Sequence, residues 1–266
     1  MSEEQKNNKS EESDLFFFAA STIQPLLKTL ESQIEGAAKT TNIEYIHKMR
    51  VTSRRIRATL TVFKSCFPKE YVRRWRREIR KITQSLGAAR DMDVQIIFLE
   101  DHLKSLEDEK EKIGVEYLLN EHKQRRAEIQ PDVITNLHKL KSSGVLEEMN
   151  KISEKIPAKY SNSTHSFDTY SAAQKYIASR LADFLLLKEY VHKENEIKKH
   201  HEMRIAAKRL RYTMEIFGPL YDKNLTNYIA MVRDFQDLIG EMHDCDVWCE
   251  FIPKVIEEVK GAAVAK

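Results

Sequence analysis

Residues 47–63, H-K-M-R-V-T-S-R-R-I-R-A-T-L-T-V-F, carry a histidine and four arginines at spacings that suit a helix. At about 100° per residue, His47, Arg50, Arg54 and Arg57 fall within about 80° of one another. From the first to the last they run about 15 Å along the axis, at about 1.5 Å of rise per residue. Guanidinium forks match the oxygens of phosphate or carboxylate two at a time. No acidic residue stands near these arginines on the same stretch. The fitting ligand is therefore a linear polyanion with closely spaced charges, bound in a strongly salt-dependent way through counterion release. A single such helix is ordinarily a solvated face, or one that pairs with acidic residues elsewhere.

The pattern returns at 201–217, H-E-M-R-I-A-A-K-R-L-R-Y-T-M-E-I-F, where His201, Arg204, Lys208 and Arg211 take the same offsets. The apolar partners return in register: Met49, Ile56, Leu60 and Phe63 in the first stretch, Met203, Leu210, Met214 and Phe217 in the second. Farther on, Ser85–Val94 (S-L-G-A-A-R-D-M-D-V) aligns with Leu238–Val247 (L-I-G-E-M-H-D-C-D-V) when Gly87 is set on Gly240. The histidine-to-glycine distance is 40 residues in one half and 39 in the other. A duplicated unit accounts for this, and it favours an anion site over a solvated face at each rail.

Other chemistries fit less well. His47 and His201 add positive charge below their pKa, ordinarily near 6.5. As a metal pair they lack carboxylate or cysteine partners at ligand spacing, so no metal and no cofactor are expected. Asp91, Asp93, Asp244 and Asp246 follow the two glycines and read as caps of following helices or as orienters of a rail arginine. His243-Asp244 has the form of a metal-phosphohydrolase HD pair, but its first-half equivalent is Arg90-Asp91. There is no Gly-rich phosphate loop, no G-x-S-x-G and no H-E-x-x-H. Cys66 reads as packing before Pro68, and no catalytic residue is expected.

The elements that must hold the rails are helical throughout. Apolar residues recur at 3.6-residue spacing nearly everywhere, strand alternation is almost absent, and glycine and proline are scarce. A chain of 266 residues sits between one large domain and two small ones. Its net charge of +3 hides an asymmetry, for Lys39–Arg90 holds fifteen Lys/Arg against three Glu and no Asp. Three cysteines, Cys66, Cys245 and Cys249, make no disulfide framework and read as reduced cytosolic thiols. The polar start, M-S-E-E-Q-K-N-N-K-S, has no signal-peptide form, and Leu15–Ala20 is too short to span a bilayer. A cytoplasmic protein with no membrane partner is expected.

Residues 1–12 are expected to be disordered. A first repeat, 13–107, is read as helices over 14–34, from a Thr41–Glu44 capping box to before Pro68, over 69–86, and from Asp91 to 107. Gly36 and Gly87 are taken as helix ends, Gly87 as a left-handed C′ residue. Trp75 falls on the apolar side of its helix, in the core. Residues 108–160 read as a helical connector interrupted at Pro131, Gly144 and Pro157, and 161–166 as a polar loop. The second repeat, 161–262, holds helices near 168–190, 196–217, 222–240 and 244–260. The expected fold is all-α: two four-helix bundles related by an internal pseudo-two-fold, with the connector between them and both basic helices facing one groove.

H-x-M-R-V-x-x-R-R-I-R followed by L-G-x-x-R-D-x-D-V, then H-x-M-R-x-x-x-K-R-L-R-Y and Q-D-L-I-G-x-x-H-D-x-D-V, resembles the CHAD domain family (conserved histidine α-helical domain) from about residue 14 to 260. The resemblance implies non-enzymatic binding of inorganic polyphosphate in a basic groove and association with polyphosphate granules; members are often fused to a CYTH triphosphatase domain, and none is expected in this chain of 266 residues. Polyphosphate-metabolising enzymes would then be partners in trans. By position, the resemblance puts the signature residues on His47, Arg50, Arg54, Arg55, Arg57 and Arg90, and on His201, Arg204, Lys208, Arg209 and Arg211. Arg76 and Arg80 are added by charge, with Arg77 and Lys81 as further candidates. A nucleic-acid or other polyanion binder is the second reading, weakened because Tyr212 is the one aromatic residue interleaved with the charges.

Overall fold

A computed structural model describes residues 3–39, 42–155 and 165–264, with side chains described from Asp14 to Glu257 within those ranges. Every regular element among them is a helix: α1 (Glu3–Lys39), α2 (Ile43–Val62), α3 (Lys69–Ser105), α4 (Glu109–Ser142), α5 (Val145–Glu154), α6 (Phe167–Leu185), α7 (Ile197–Phe217) and α8 (Thr226–Val264). Short 3₁₀ turns occupy Lys188–Tyr190 and Gly218–Tyr221. The all-α class read from the 3.6-residue periodicity is the observed one. The chain divides into two compact units, residues 1–166 and 167–266.

In the first unit α2 packs on both α1 and α3, and α4 runs along α3. Asn42 opens α2, its side chain accepting from the Glu44 N–H at 2.8 Å. Thr41, the expected cap, lies outside the described residues. Glu44 sits in the first turn, where the helix dipole favours an anion. Ile46, Met49, Ile56 and Leu60 are all buried, as the apolar stripe requires. They meet Ile23, Leu27 and Leu30 of α1 and Trp75, Ile79, Ile82 and Leu86 of α3 in one core. Trp75 is fully buried, and its indole N–H donates to Glu148 of α5 at 2.6 Å. A tryptophan so placed needs that acceptor, since a buried N–H without one is costly.

The structure corrects several helix boundaries. Gly36 lies inside α1, where the Tyr45 ring of α2 rests on it and leaves no space for a Cβ. Gly87 lies inside α3 and Gly240 inside α8, so neither ends a helix, and each pair of expected helices is one continuous element. Asp91, Asp93, Asp244 and Asp246 are consequently mid-helix residues and not caps. Pro131 is accommodated within α4; Gly144, with φ of +68°, makes the actual turn between α4 and α5. Pro157 and residues 161–164 lie outside the described set. The stretch 1–12, expected to be disordered, belongs to α1 from Glu3 onward. Its glutamates and lysines are good helix formers that extend a helix already nucleated by the packed stretch after Asp14.

Among the described residues the first unit thus comprises five helices, because α4 and α5 pack on α1 and α3. The second has three, α7 packing on both α6 and α8. Met203, Leu210, Met214 and Phe217 are buried there, as their counterparts are in the first unit.

Candidate anion-binding site

The α2 rail and the N-terminal half of α3 build one cationic surface. Arg57 is half-buried, and its pKa is held below the ordinary value, first by burial and then by the charges of Arg80, Arg54 and Arg76. An arginine remains protonated under such a shift. Its causes locate Arg76 and Arg80 of α3 beside Arg54 and Arg57 of α2. Among the described residues, none of these four side chains forms a hydrogen bond or ion pair (Arg76 and Arg80 are exposed, Arg54 and Arg57 half-buried).

Neighbouring cations on α3 are used differently. Arg74 turns away to the Ser143 carbonyl at 2.8 Å and to Glu148 at 3.4 Å. Arg77 and Lys81 both bind Glu78, at 2.9 and 3.1 Å. Of the charges at 73–81, Arg76 and Arg80 therefore join the rail, whereas Arg77 and Lys81, taken as candidates by charge alone, are engaged with a carboxylate.

Toward the N-terminus of α2, Arg50 lies over Gly87, whose missing Cβ would sit 3.9 Å from the Arg50 Nε. It also donates to Asp91 at 3.1 Å, so Asp91 orients a rail arginine. Arg90 acts on His47 and, after burial, is the largest cause that lowers the His47 pKa. One terminal nitrogen of Arg90 is buried with no hydrogen-bond partner. His47, Arg50 and Arg90 thus form a second cluster on the same two helices. Arg55 is half-buried and turned about 100° round α2 from Arg54, off the line of the rail.

The α7–α8 pair repeats the arrangement with fewer available charges. Arg204 lies over Gly240 as Arg50 lies over Gly87, with the missing Cβ 3.8 Å from its Nε. That Nε is buried and lacks a hydrogen-bond partner. Lys208 is half-buried on the same face, while Arg209 is exposed and turned off it. Arg211 is different: it binds Glu215 at 2.7 Å and Gln236 at 3.1 Å and stacks on Tyr212. The expectation that rail arginines find no carboxylate on their own helix fails here, because Glu215 stands one turn after Arg211 where the first repeat has Thr61.

At the other end the rings of His201 and His243 lie 5.1 Å apart. The His243 pKa is lowered by burial, then by Arg204 and His201. Arg233, exposed on α8, takes the register of Arg80, seven residues before the matched glycine, and sequence reasoning missed it. Extending the Gly87–Gly240 alignment backwards would have found it.

The Cys66 thiol is buried and its pKa is pushed up to about 11, so it stays protonated at neutral pH. Among the described residues no three His, Cys, Asp or Glu side chains come together as metal ligands. No helix among them is long and apolar enough to cross a membrane.

Comparison with known proteins gives the same outline. The sequence model of the CHAD domain matches residues 21–253. A crystal structure of the CHAD domain from the plant Ricinus communis is similar in fold, with a TM-score of 0.69 at 20% identity over 94% of this chain and 82% of that one. The structure of PptA from Streptomyces chartreusis aligns at a TM-score of 0.47 and 13% identity, over 77% of this chain and 75% of that one. No curated protein matches the chain.

Proposed function

This chain belongs to the CHAD domain family, and from that premise we propose that it is a non-enzymatic binder of inorganic polyphosphate. The observation that carries this reading is the group formed by Arg54, Arg57, Arg76 and Arg80. Four guanidinium groups share one surface of α2 and α3, the pKa of Arg57 is lowered by burial and then by the other three, and none has an ion pair among the described residues. Such an arrangement stores like-charge repulsion that a polyanion relieves, and each charge-assisted contact contributes about 1.5–3 kcal/mol. The buried, unpartnered donors of Arg90 and Arg204 support it, since an anion would satisfy them. A phosphate chain carries one charge per repeat along a flexible backbone, which suits a row of arginines without base-stacking aromatics.

The rails of both units are used by one long polyanion, the second contact gaining from the high local concentration that the first provides. The protein would thereby associate with polyphosphate granules and act beside polyphosphate-metabolising enzymes supplied in trans.

Titration with long-chain polyphosphate, followed by anisotropy or calorimetry, tests the reading. Tight binding that weakens steeply between about 50 and 200 mM salt is expected. In R57E/R80E, checked for native helicity by circular dichroism, most of the affinity should go; unchanged binding would overturn the proposal. Competition at matched phosphate concentration separates the readings, because RNA or DNA displacing polyphosphate would transfer the site to nucleic acid. Phosphate release above background with Mg²⁺ or Mn²⁺ would overturn the non-enzymatic part.

A further inference from the structure

One long apolar seam of the second unit is exposed among the described residues. Tyr228, Met231, Leu238, Met242, Ile252 and Ile256 stand at a and d positions of a single heptad frame along α8. All six are exposed, Met231 at 66% and Leu238 at 61%. The intervening frame positions are Phe235, Cys245 and Cys249, the two cysteines also exposed. Scattered surface leucines need no explanation, but a continuous stripe at 3–4 spacing over most of a long helix does.

The first unit shows what such a face receives. With Gly87 set on Gly240, α3 is the counterpart of α8, and of the nine matched frame positions Trp75, Ile82, Ala89 and Leu99 are buried while Glu78, Ser85, Met92, Ile96 and Leu103 are half-buried. There α4 lies along α3 and α5 supplies Glu148 to Trp75. Polar pairing sets the register of that contact: Asp93 of α3 is buried and accepts from Arg126 of α4 at 2.7 Å. Lys123 of α4 meets Glu100 of α3 at 2.8 Å. The position of Asp93 is taken on α8 by Asp246, which has no cation partner among the described residues. On the neighbouring helix α6, Leu181 is 43% exposed. At Phe235, itself a frame position and half-buried, Phe184 of α6 packs with ring centroids 5.1 Å apart, so α6 touches the seam at that point.

The geometry points to α8 as the docking surface for a basic amphipathic helix of a partner protein, which lays its apolar stripe on the seam and sets an arginine against Asp246. Charge selects this occupant over a second copy of the same chain. Residues 226–257 hold seven Asp/Glu against two Lys/Arg, a net charge of −5. Pairing α8 with its own copy would bring two such surfaces together, and juxtaposed like charges are disfavoured. A helix rich in arginine or lysine beside its apolar stripe meets both features at once. The same negative charge keeps a polyphosphate chain off this face, so the two binding activities do not compete.

The test uses the full chain and a fluorescein-labelled synthetic 28-residue helix with leucine at a and d and arginine at the flanking positions. A second peptide carries glutamate in place of each arginine. The basic peptide is expected to bind at least tenfold more tightly than the acidic one. L238D/M242D should weaken it at least tenfold while leaving helicity and polyphosphate binding unchanged. Because this variant adds negative charge, binding that survives or strengthens in it is general charge attraction and overturns the proposal. D246R, on the same exposed helix, should narrow the preference between the two peptides severalfold; an unaltered preference removes Asp246 from the inference. Failure of the basic peptide to bind, or a dimer in light scattering that L238D/M242D dissociates, overturns it as well, the latter by assigning the seam to a second copy.

Discussion

The α2–α3 and α7–α8 pairs are laid out on one spacing pattern and put it to different use. Each sets a histidine and an arginine at the start of a rail, and each leaves a glycine under that arginine. In the first pair Arg54, Arg57, Arg76 and Arg80 stand together with no ion pair among the described residues. In the second, Arg211 is held by Glu215, an isoleucine (Ile229) replaces Arg76, and His243 replaces Arg90. The flanks differ too, since α4 covers α3 while the equivalent face of α8 is exposed among the described residues. A duplicated spacing preserves where charges are placed; the few residues around it decide whether they remain available.

The largest expected effect concerns the covered flank. Removing one partner of a buried ion pair strands the other charge, which typically costs about 3–5 kcal/mol. R126A leaves Asp93 buried, so urea unfolding monitored by circular dichroism should show a loss of that order. D246A, at the matched open position, should shift stability by no more than about 0.5 kcal/mol. Equal losses would mean that Asp246 is as enclosed as Asp93.

Next come the rails themselves. R57E/R80E should lower polyphosphate affinity by more than about 100-fold, since two favourable contacts of about 1.5–3 kcal/mol each become repulsive. R204E in the second unit should cost closer to tenfold, because fewer available cations surround it. The salt dependence should fall in step, by a slope of about one for each lost phosphate contact. A larger effect from R204E would reverse the ranking of the two units.

Smaller changes exchange the neighbour that separates Arg57 from Arg211. T61E gives Arg57 a carboxylate one turn on, as Glu215 does for Arg211, and should weaken polyphosphate binding severalfold. E215Q releases Arg211 and should strengthen it by a similar factor. Pairs at this spacing contribute only about 0.3–0.5 kcal/mol when exposed, more when partly buried as here. Calorimetry on both variants would show whether the two units can be made alike.

The all-α class and both rails were legible because helical periodicity and a register-matched repeat are local properties of the chain. Gly87 and Gly240 were misread for a physical reason. A glycine that ends a helix and a glycine that lets a neighbouring side chain cross it look alike in sequence, and only the position of Arg50 or Arg204 distinguishes them. The choice of Arg76 and Arg80 over Arg77 and Lys81 depended on which carboxylate, Glu78, reached the latter pair. The Arg211–Glu215 pair, by contrast, stands at ordinary i, i+4 spacing and is legible in the sequence, although the repeat does not point to it because Thr61 takes the matching position.

The smallest effect is one of pH. Burial and neighbouring cations hold the His47 and His243 pKa values below the ordinary value near 6.5. In the unfolded chain these groups protonate first, so their contribution to stability is present above pH 6.5 and is lost as pH falls through the lowered native values. A bound phosphate acts in the opposite sense, favouring the imidazolium. Polyphosphate affinity should therefore rise a few-fold as pH is lowered from about 7.5 to 5.5, and bound polyphosphate should protect the protein from acid destabilisation over that window. H243R installs the permanent charge that Arg90 already supplies in the first unit. It should raise affinity at pH 7.5 and flatten part of the pH dependence, leaving the share due to His47. An unchanged pH profile in H243R would mean that the second unit's histidines lie outside the path of the polyanion, and that the first unit alone sets the proton coupling.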